Sequence, residues 1–309
     1  MPYVTAGELE SDAFRYFRKK ALESTRLTKE DLDISDEELL SSLLLTEGKY
    51  LKRAAMLLFH QIPEKWAPGA FVKIGFFEND INILYQDEIR GPLITLPDKV
   101  LDSLYHKYFK GLISYRGIQR IETFPVARSA LREAVLNAVI HKDYSTGIPI
   151  QIRVYEDKVY IFNNGSLPDG WTIEKLMTWH ESIPRNPLIA SAFYRSGMIE
   201  SWGRGIGRIL ESCREEGKLE PTFEASQTGV RILFPVKIQT TTETNSTVHF
   251  GVNFGVNFGA NFGANETQKK ILDLMVANPK IKTQEIADTI NLTKRNVEYV
   301  IRGLKKRVS

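Results

Sequence analysis

Over the first sixty positions, apolar residues recur mainly at helical spacings. Ser35-Asp36-Glu37-Glu38 reads as a capping box ahead of Leu39, Leu40, Leu43 and Leu44. A second helical stretch, Tyr50–His60, follows Gly48, so residues 6–60 are expected to be largely helical. The period then shortens. Runs at Phe71–Phe77 and Ile81–Tyr85 predict strands, and Pro97–Phe109 predicts a helix with proline in its first turn. After Gly117 the pattern predicts a strand at Ile118–Phe124 and a helix from near Pro125. Strands at Ile150–Tyr155 and Lys158–Asn163 follow, parted by the turn Glu156-Asp157. Helices around 172–179, 187–195 and 205–215 come next, and Val230–Val236 closes the pattern as a strand. Such a mixture predicts an α/β body, an α+β sandwich of helices layered on a sheet.

Periodicity fails between 239 and 265. Gln239–Ser246 is polar, and it leads into a tetrapeptide repeat: Val252-Asn253-Phe254-Gly255, Val256-Asn257-Phe258-Gly259, Ala260-Asn261-Phe262-Gly263. A period of four fits neither a helix nor a fixed strand face, which leaves a flexible spacer or a β-forming, self-associating segment. Helical periodicity resumes at 266. The chain is therefore expected to comprise a mixed helix/strand region 1–110, a second α/β part 111–238, the linker 239–265 and a small all-α domain 266–309.

The 309 residues carry a net charge of +3, which names no partner until it is divided. From Asn265 to Ser309 there are ten basic and five acidic side chains, a balance of +5; the rest carries 31 and 33, or −2. A basic end on a slightly acidic body points to a polyanion at that end. No run approaches ~18 apolar residues, so a membrane-spanning helix is not expected. The N-terminus lacks the pattern of a secretory signal, and the single cysteine, Cys213, fits a reducing cytoplasm.

Three segments of the body carry candidate chemistry. In the helix Arg132–His141, Glu133 and Asn137 lie one turn apart on one face. A carboxamide oxygen and a carboxylate so placed can ligate Mg²⁺ and polarise water, or simply face solvent. The strand Tyr160-Ile161-Phe162-Asn163 ends in Asn164-Gly165, which is either a tight turn or a strand end that lets backbone approach a ligand. Gly203, Gly205 and Gly207 alternate ahead of an apolar helix, as a phosphate-binding N-terminus or as a hinge.

In this order the three segments resemble the Bergerat-fold, or GHKL-like, ATPases, among them gyrase-type topoisomerases and histidine kinases. REAVLNAVIHKDYS, IFNNGSLPDG, RNPLIA and GMIESWGRGIGRI are similar, more closely, to a prokaryotic group of RecG-like helicases and transcriptional regulators, over most of 40–235. The resemblance implies a Bergerat-like ATP-binding domain, with Glu133 as the general base and Asn137 as a Mg²⁺ ligand. Asn163 then stands where the superfamily has an aspartate that accepts from the adenine amino group. Gly165 would admit the base, and Gly203, Gly205 and Gly207 would cradle the phosphates beneath a lid running from Ser166 to Trp202. Arg185 would be a phosphate-contacting cation on that lid, or a salt-bridging residue before a proline-opened helix. His141 and Asp143 read as structural support. A Gly-x-x-x-x-Gly-Lys-Ser/Thr loop is missing, so P-loop helicase activity is not expected. The group often carries a Schlafen-type AlbA-like domain ahead of this region, so the chain is expected to be a fragment of a longer protein.

The basic end reads as three short helices. Thr283 is expected to cap the second and Thr293 the third, whose Val297, Val300, Ile301 and Leu304 form an apolar stripe. Lys294, Arg295, Asn296, Tyr299, Arg302 and Lys305 share the other face. This resembles a winged helix-turn-helix, with Arg295, Asn296 and Tyr299 as base-edge candidates in double-stranded DNA. A small three-helix domain with a solvated basic face is the alternative. Three functions stay open: an ATP-responsive DNA-binding regulator, dimeric by analogy with half-site readers; an active ATPase acting on DNA; and a scaffold whose ATP site has decayed.

Overall fold

In the computed structural model the described residues are 4–109, 112–116, 119–178, 180–200, 203–236, 274, 282–289, 294 and 297. The chain divides into two compact units, Met1–Thr240 and Thr241–Ser309.

The N-terminal part of the first unit is helical, as its periodicity predicts, but in shorter pieces. Helices α1 (Ser11–Glu23), α2 (Lys29–Leu32) and α3 (Asp36–Ser42) are joined by turns. The capping box forms at α3: Ser35 Oγ accepts from the Glu38 amide at 3.2 Å, and Glu38 Oε2 accepts from the Ser35 amide at 2.8 Å. The expected helix from Tyr50 starts later. Tyr50–Leu51 (β2) instead pairs with Thr46–Glu47 (β1) across Gly48 and Lys49, and α4 spans Arg53–Phe59. A two-residue turn at Gly48 suits a hairpin, and that local chemistry overrides the helical spacing downstream. Phe14 of α1 stacks on Phe59 of α4 with ring centroids 4.4 Å apart, and Phe17 meets the same ring edge-on. All three are buried.

Strands β3 (Val72–Phe77) and β4 (Ile83–Ile89) come next, then α5 (Leu96–Ser103), which continues as a π-turn over Leu104–Tyr108. A separate hairpin, β5 (Leu112–Arg116) and β6 (Gln119–Thr123), leads to α6 (Arg128–His141). Then follow β7 (Ile150–Val154), β8 (Lys158–Asn164), α7 (Ile173–Met177), α8 (Pro187–Arg195), α9 (Gly205–Glu215), β9 (Thr222–Ser226) and β10 (Gly229–Pro235). Strands β5 and β9 escaped the sequence reading; β9 alternates too weakly, being exposed at four of its five positions.

The main sheet has six strands in the order β4-β3-β7-β8-β10-β9, antiparallel except where β3 runs parallel to β7. It takes two strands from residues 1–110 and four from 111–238, so it crosses the boundary expected at 110. The body is thus a mixed α/β sandwich. Helix α6 lies against the sheet and is also packed by α5, α8 and α9. That explains why it buries Ala130, Leu131, Ala134, Val135, Leu136, Ala138, Val139 and Ile140, apolar on almost every side.

In the second unit the described residues include helix α10 (Thr283–Thr289), with Ile286 and Ala287 buried. Thr283 is its first helical residue and not its cap: the Lys282 carbonyl takes the first bond, from the Ile286 amide at 3.1 Å. Further along, Val297 is buried and Lys294 exposed.

Truncating Phe59→Ala removes the ring on which Phe14 and Phe17 meet, and is expected to cost about 3–5 kcal/mol of unfolding free energy. Leu22→Ala, at a side chain 51% exposed, should stay within about 0.5 kcal/mol. Urea unfolding of the two variants checks the contrast.

Candidate functional site

The body contains a cleft of about 300 Å³ between α6, the end of β8, the segment after Gly165 and the start of α9. Helix α6 sets its axis. Glu133, Asn137 and His141 follow one another at successive turns and all face the cleft. Eight residues of helix separate Glu133 from His141, roughly 12 Å along the axis.

At the far end, β8 delivers Asn163. Strand alternation buries Val159, Ile161 and Asn163 on the helix-facing side, and Ile161 and Asn163 both line the cleft. Asn163 is 7% exposed, and among the described residues no donor reaches its Oδ1. A buried acceptor without a partner costs about 1–3 kcal/mol, so this atom is the most informative one in the cleft. The sheet ends beside it without the tight hairpin that Asn164-Gly165 could have formed. Gly165 has φ +145, and a Cβ there would stand 2.8 Å from the His141 carbonyl oxygen and 3.2 Å from the Asp143 amide. Only glycine allows β8 to close on the end of α6 in this way. The Asp143 amide donates to the Asn164 carbonyl at 2.7 Å, fixing the same junction.

At the near end, Asn137 Nδ2 donates to Glu133 Oε1 at 3.3 Å. Burial raises the Glu133 carboxyl above its ordinary range, against the pull of Arg208. Helix α9 begins here. A Cβ on Gly205 would lie 2.8 Å from both Asn137 Nδ2 and Glu133 Oε1, so the missing side chain lets the first turn of α9 reach the pair. Gly203 also lines the cleft, with φ +65 and the His180 carbonyl against it. Gly207 does not: nothing stands near where its Cβ would be, and it is off the cleft wall.

Arg185 reaches the cleft wall from the covering segment. Its Nη2 donates to Ser166 O at 2.8 Å and Ser166 Oγ at 3.2 Å, and Nη1 lies 3.9 Å from Asp143 Oδ2. It therefore ties the covering segment to the α6–β8 junction. Asp143 is held in a local turn, accepting from the Ser145 amide and hydroxyl, which lower its pKa. The covering segment is shorter than the expected lid. Ser166, Leu167, Pro168, Trp171, Leu176 and residues 180–185 line the cleft from this segment, whereas α8 packs into the core through Ile189, Ala192 and Phe193. Trp202 lies outside the described residues.

Sequence reasoning missed the residues that hold this geometry. Asn186 Nδ2 donates to Ile140 O at 2.8 Å and Lys142 O at 2.7 Å, capping the carbonyl end of α6. Its place in Arg185-Asn186-Pro187 was the available signal. Arg132 Nη1 donates to Met198 O at 3.0 Å, and Glu200 pairs with Arg208 across the glycine loop. Arg26 donates to Tyr194 O at 2.7 Å and to Ile199 O while lying over the Tyr194 ring. No sequence signal marks it, because its partners are 168 and 173 residues away.

Of the DNA-facing candidates only Lys294 is described, and it is exposed. Arg295, Asn296, Tyr299, Arg302 and Lys305 lie outside the described residues, as does the repeat linker. Among the described residues no helix is long and apolar enough to cross a membrane, and no group of three or more His, Cys, Asp or Glu could hold a metal on its own. The cleft thus offers an unpaired acceptor at one end. At the other stands a high-pKa carboxylate beside a carboxamide and a helix N-terminus.

Burial lowers the His141 pKa from 6.5 to about 4, with Arg185 assisting. As pH falls the unfolded chain is protonated first, so stability is complete above about 6.5 and declines as pH drops from there toward 4. His141→Gln is expected to flatten the slope of unfolding free energy against pH across that window. An unchanged slope would place the pH dependence elsewhere.

Comparison with known proteins bears on both units. Residues 147–234 match a family described as "Putative ATP-dependent DNA helicase recG C-terminal". Residues 265–307 match the family of winged helix-turn-helix DNA-binding domains. No curated protein matches. The crystal structure of the DIP2311 protein from Corynebacterium diphtheriae is similar in fold, at 19% identity and a TM-score of 0.62. The match covers 97% of this chain and 58% of that one. The chain therefore joins a RecG-C-terminal-type, ATPase-like domain to a small winged helix-turn-helix DNA-binding domain, the two parts of the RecG-like family that its motifs resemble.

Proposed function

We propose that this chain is a nucleotide-responsive, DNA-binding transcriptional regulator whose body binds Mg²⁺-ATP in the cleft along α6. The unpaired, buried Asn163 Oδ1 carries this reading, because a ligand donor is what such an atom lacks. In this assignment Asn163 accepts from the base, Gly165 closes the α6–β8 junction beside it, and Gly203 and Gly205 bring backbone amides to the phosphates. Asn137 would hold a Mg²⁺ ion through its carboxamide oxygen, and the ion would supply charge neutralisation at the phosphates. Arg185 guards the mouth of the cleft and stands within reach of an anionic ligand. Glu133, with its raised pKa, is suited to accept a proton from water. The winged domain supplies the DNA contacts, with Lys294, Arg295, Asn296, Tyr299, Arg302 and Lys305 as the contacting side chains.

A working ATPase is the second reading, favoured by the desolvated Glu133 next to Asn137. Calorimetric titration of the chain with ATP and Mg²⁺ should give saturable heat that Asn137→Ala strongly reduces. No heat from the wild type removes both readings. If the chain hydrolyses ATP, Glu133→Ala should keep binding while turnover falls about 10²–10⁴-fold.

DNA binding is tested on the same chain. Affinity for duplex DNA should fall steeply between about 50 and 200 mM salt, and Arg295→Ala should weaken it at either concentration. Absent or salt-independent binding contradicts the assignment.

A further inference from the structure

A carboxylate can only accept hydrogen bonds, so it selects a base edge that donates. Asn163 is a carboxamide: it accepts through Oδ1 and donates through Nδ2, and a half-turn of its planar end exchanges the two. The side chain is 7% exposed, lines the cleft, and has no donor to Oδ1 among the described residues that would fix its orientation. Its surroundings do not fix it by charge either. Ile161, Ile232 and Ala138 share the cleft, and burial keeps the His141 ring neutral at pH 7. The carboxylate of Glu133 stands two helical turns away from His141 along α6, and Asp143 is engaged by Ser145.

We infer that the cleft takes purine nucleoside triphosphates without discriminating adenine from guanine, and that Asn163 sets this relaxed selectivity. The inference rests on the proposed nucleotide site and specifies its substrate class. Adenine offers a donor at its 6-amino group beside an acceptor at N1. Guanine reverses both, with a 6-oxo acceptor beside an N1–H donor. One orientation of the Asn163 amide pairs with the first edge and the opposite orientation pairs with the second. With the 6-position of the base held opposite residue 163, an aspartate there would accept from the adenine 6-amino group and set its charge against the guanine 6-oxo group. The cost of that mismatch is on the order of tenfold or more in affinity.

The test titrates the intact chain, in Mg²⁺, with ATP, GTP and inosine triphosphate, which carries guanine's 6-oxo edge without the 2-amino group. Expected are dissociation constants for the three within about threefold, and a shift of at least tenfold towards ATP in Asn163→Asp. Circular dichroism of the variant confirms that it is folded. If ATP binds and both 6-oxo nucleotides bind more than tenfold weaker, the inference is overturned while the nucleotide site stands. An unchanged ratio in folded Asn163→Asp overturns the role of Asn163. If no nucleotide binds, the nucleotide reading itself is overturned, and this inference with it.

Discussion

Helix α6 must be buried on nearly all sides while it holds three polar groups towards a cleft, and the rest of the body is arranged around that demand. Its apolar positions are taken up by the sheet and by α5, α8 and α9, leaving Glu133, Asn137 and His141 on the one remaining strip. Dehydration of that strip follows directly. It raises the Glu133 carboxyl and keeps His141 neutral, and the same dry environment surrounds Asn163 on the facing strand. Unpaired polar atoms are costly away from water, so the Asn163 Oδ1 in this cleft is held at the expense of folding stability.

Several long-range bonds then hold the two ends of the cleft in register. Asn186 binds the last carbonyls of α6, and Arg185 ties the overhanging segment to the α6–β8 junction. At the other end Arg132 and Arg26 hold the carbonyls of Met198, Tyr194 and Ile199, just ahead of the glycine loop. Arg26 belongs to the N-terminal helical region, which also supplies Ser24 against Gly197. The first hundred residues therefore contribute two strands to the sheet and also a clamp on the loop that opens α9.

The sequence made the fold legible where a pattern is local. The capping box at Ser35 and the spacing in α6, which sets Glu133 and Asn137 on one face, are such local patterns; that Asn163 shares their cleft was implied by the resemblance and not by periodicity. Features that depend on distant partners were not legible. Arg26 is unremarkable in sequence, and β9 joins the sheet through pairing with β10 although its own residues scarcely alternate. The Tyr50 helix failed because a Gly48 hairpin intervened. Charge was informative only after division, when the +5 end coincided with the winged domain at 265–307.

The cleft's role turns on where a nucleotide sits. A crystal structure of the chain grown with Mg²⁺ and a non-hydrolysable ATP analogue decides this most directly. The purine should lie with its edge hydrogen-bonded to Asn163, the metal on Asn137 and the phosphates at the start of α9. A nucleotide bound outside the cleft, or one in the cleft with Asn163 Oδ1 still unpaired, would contradict the account.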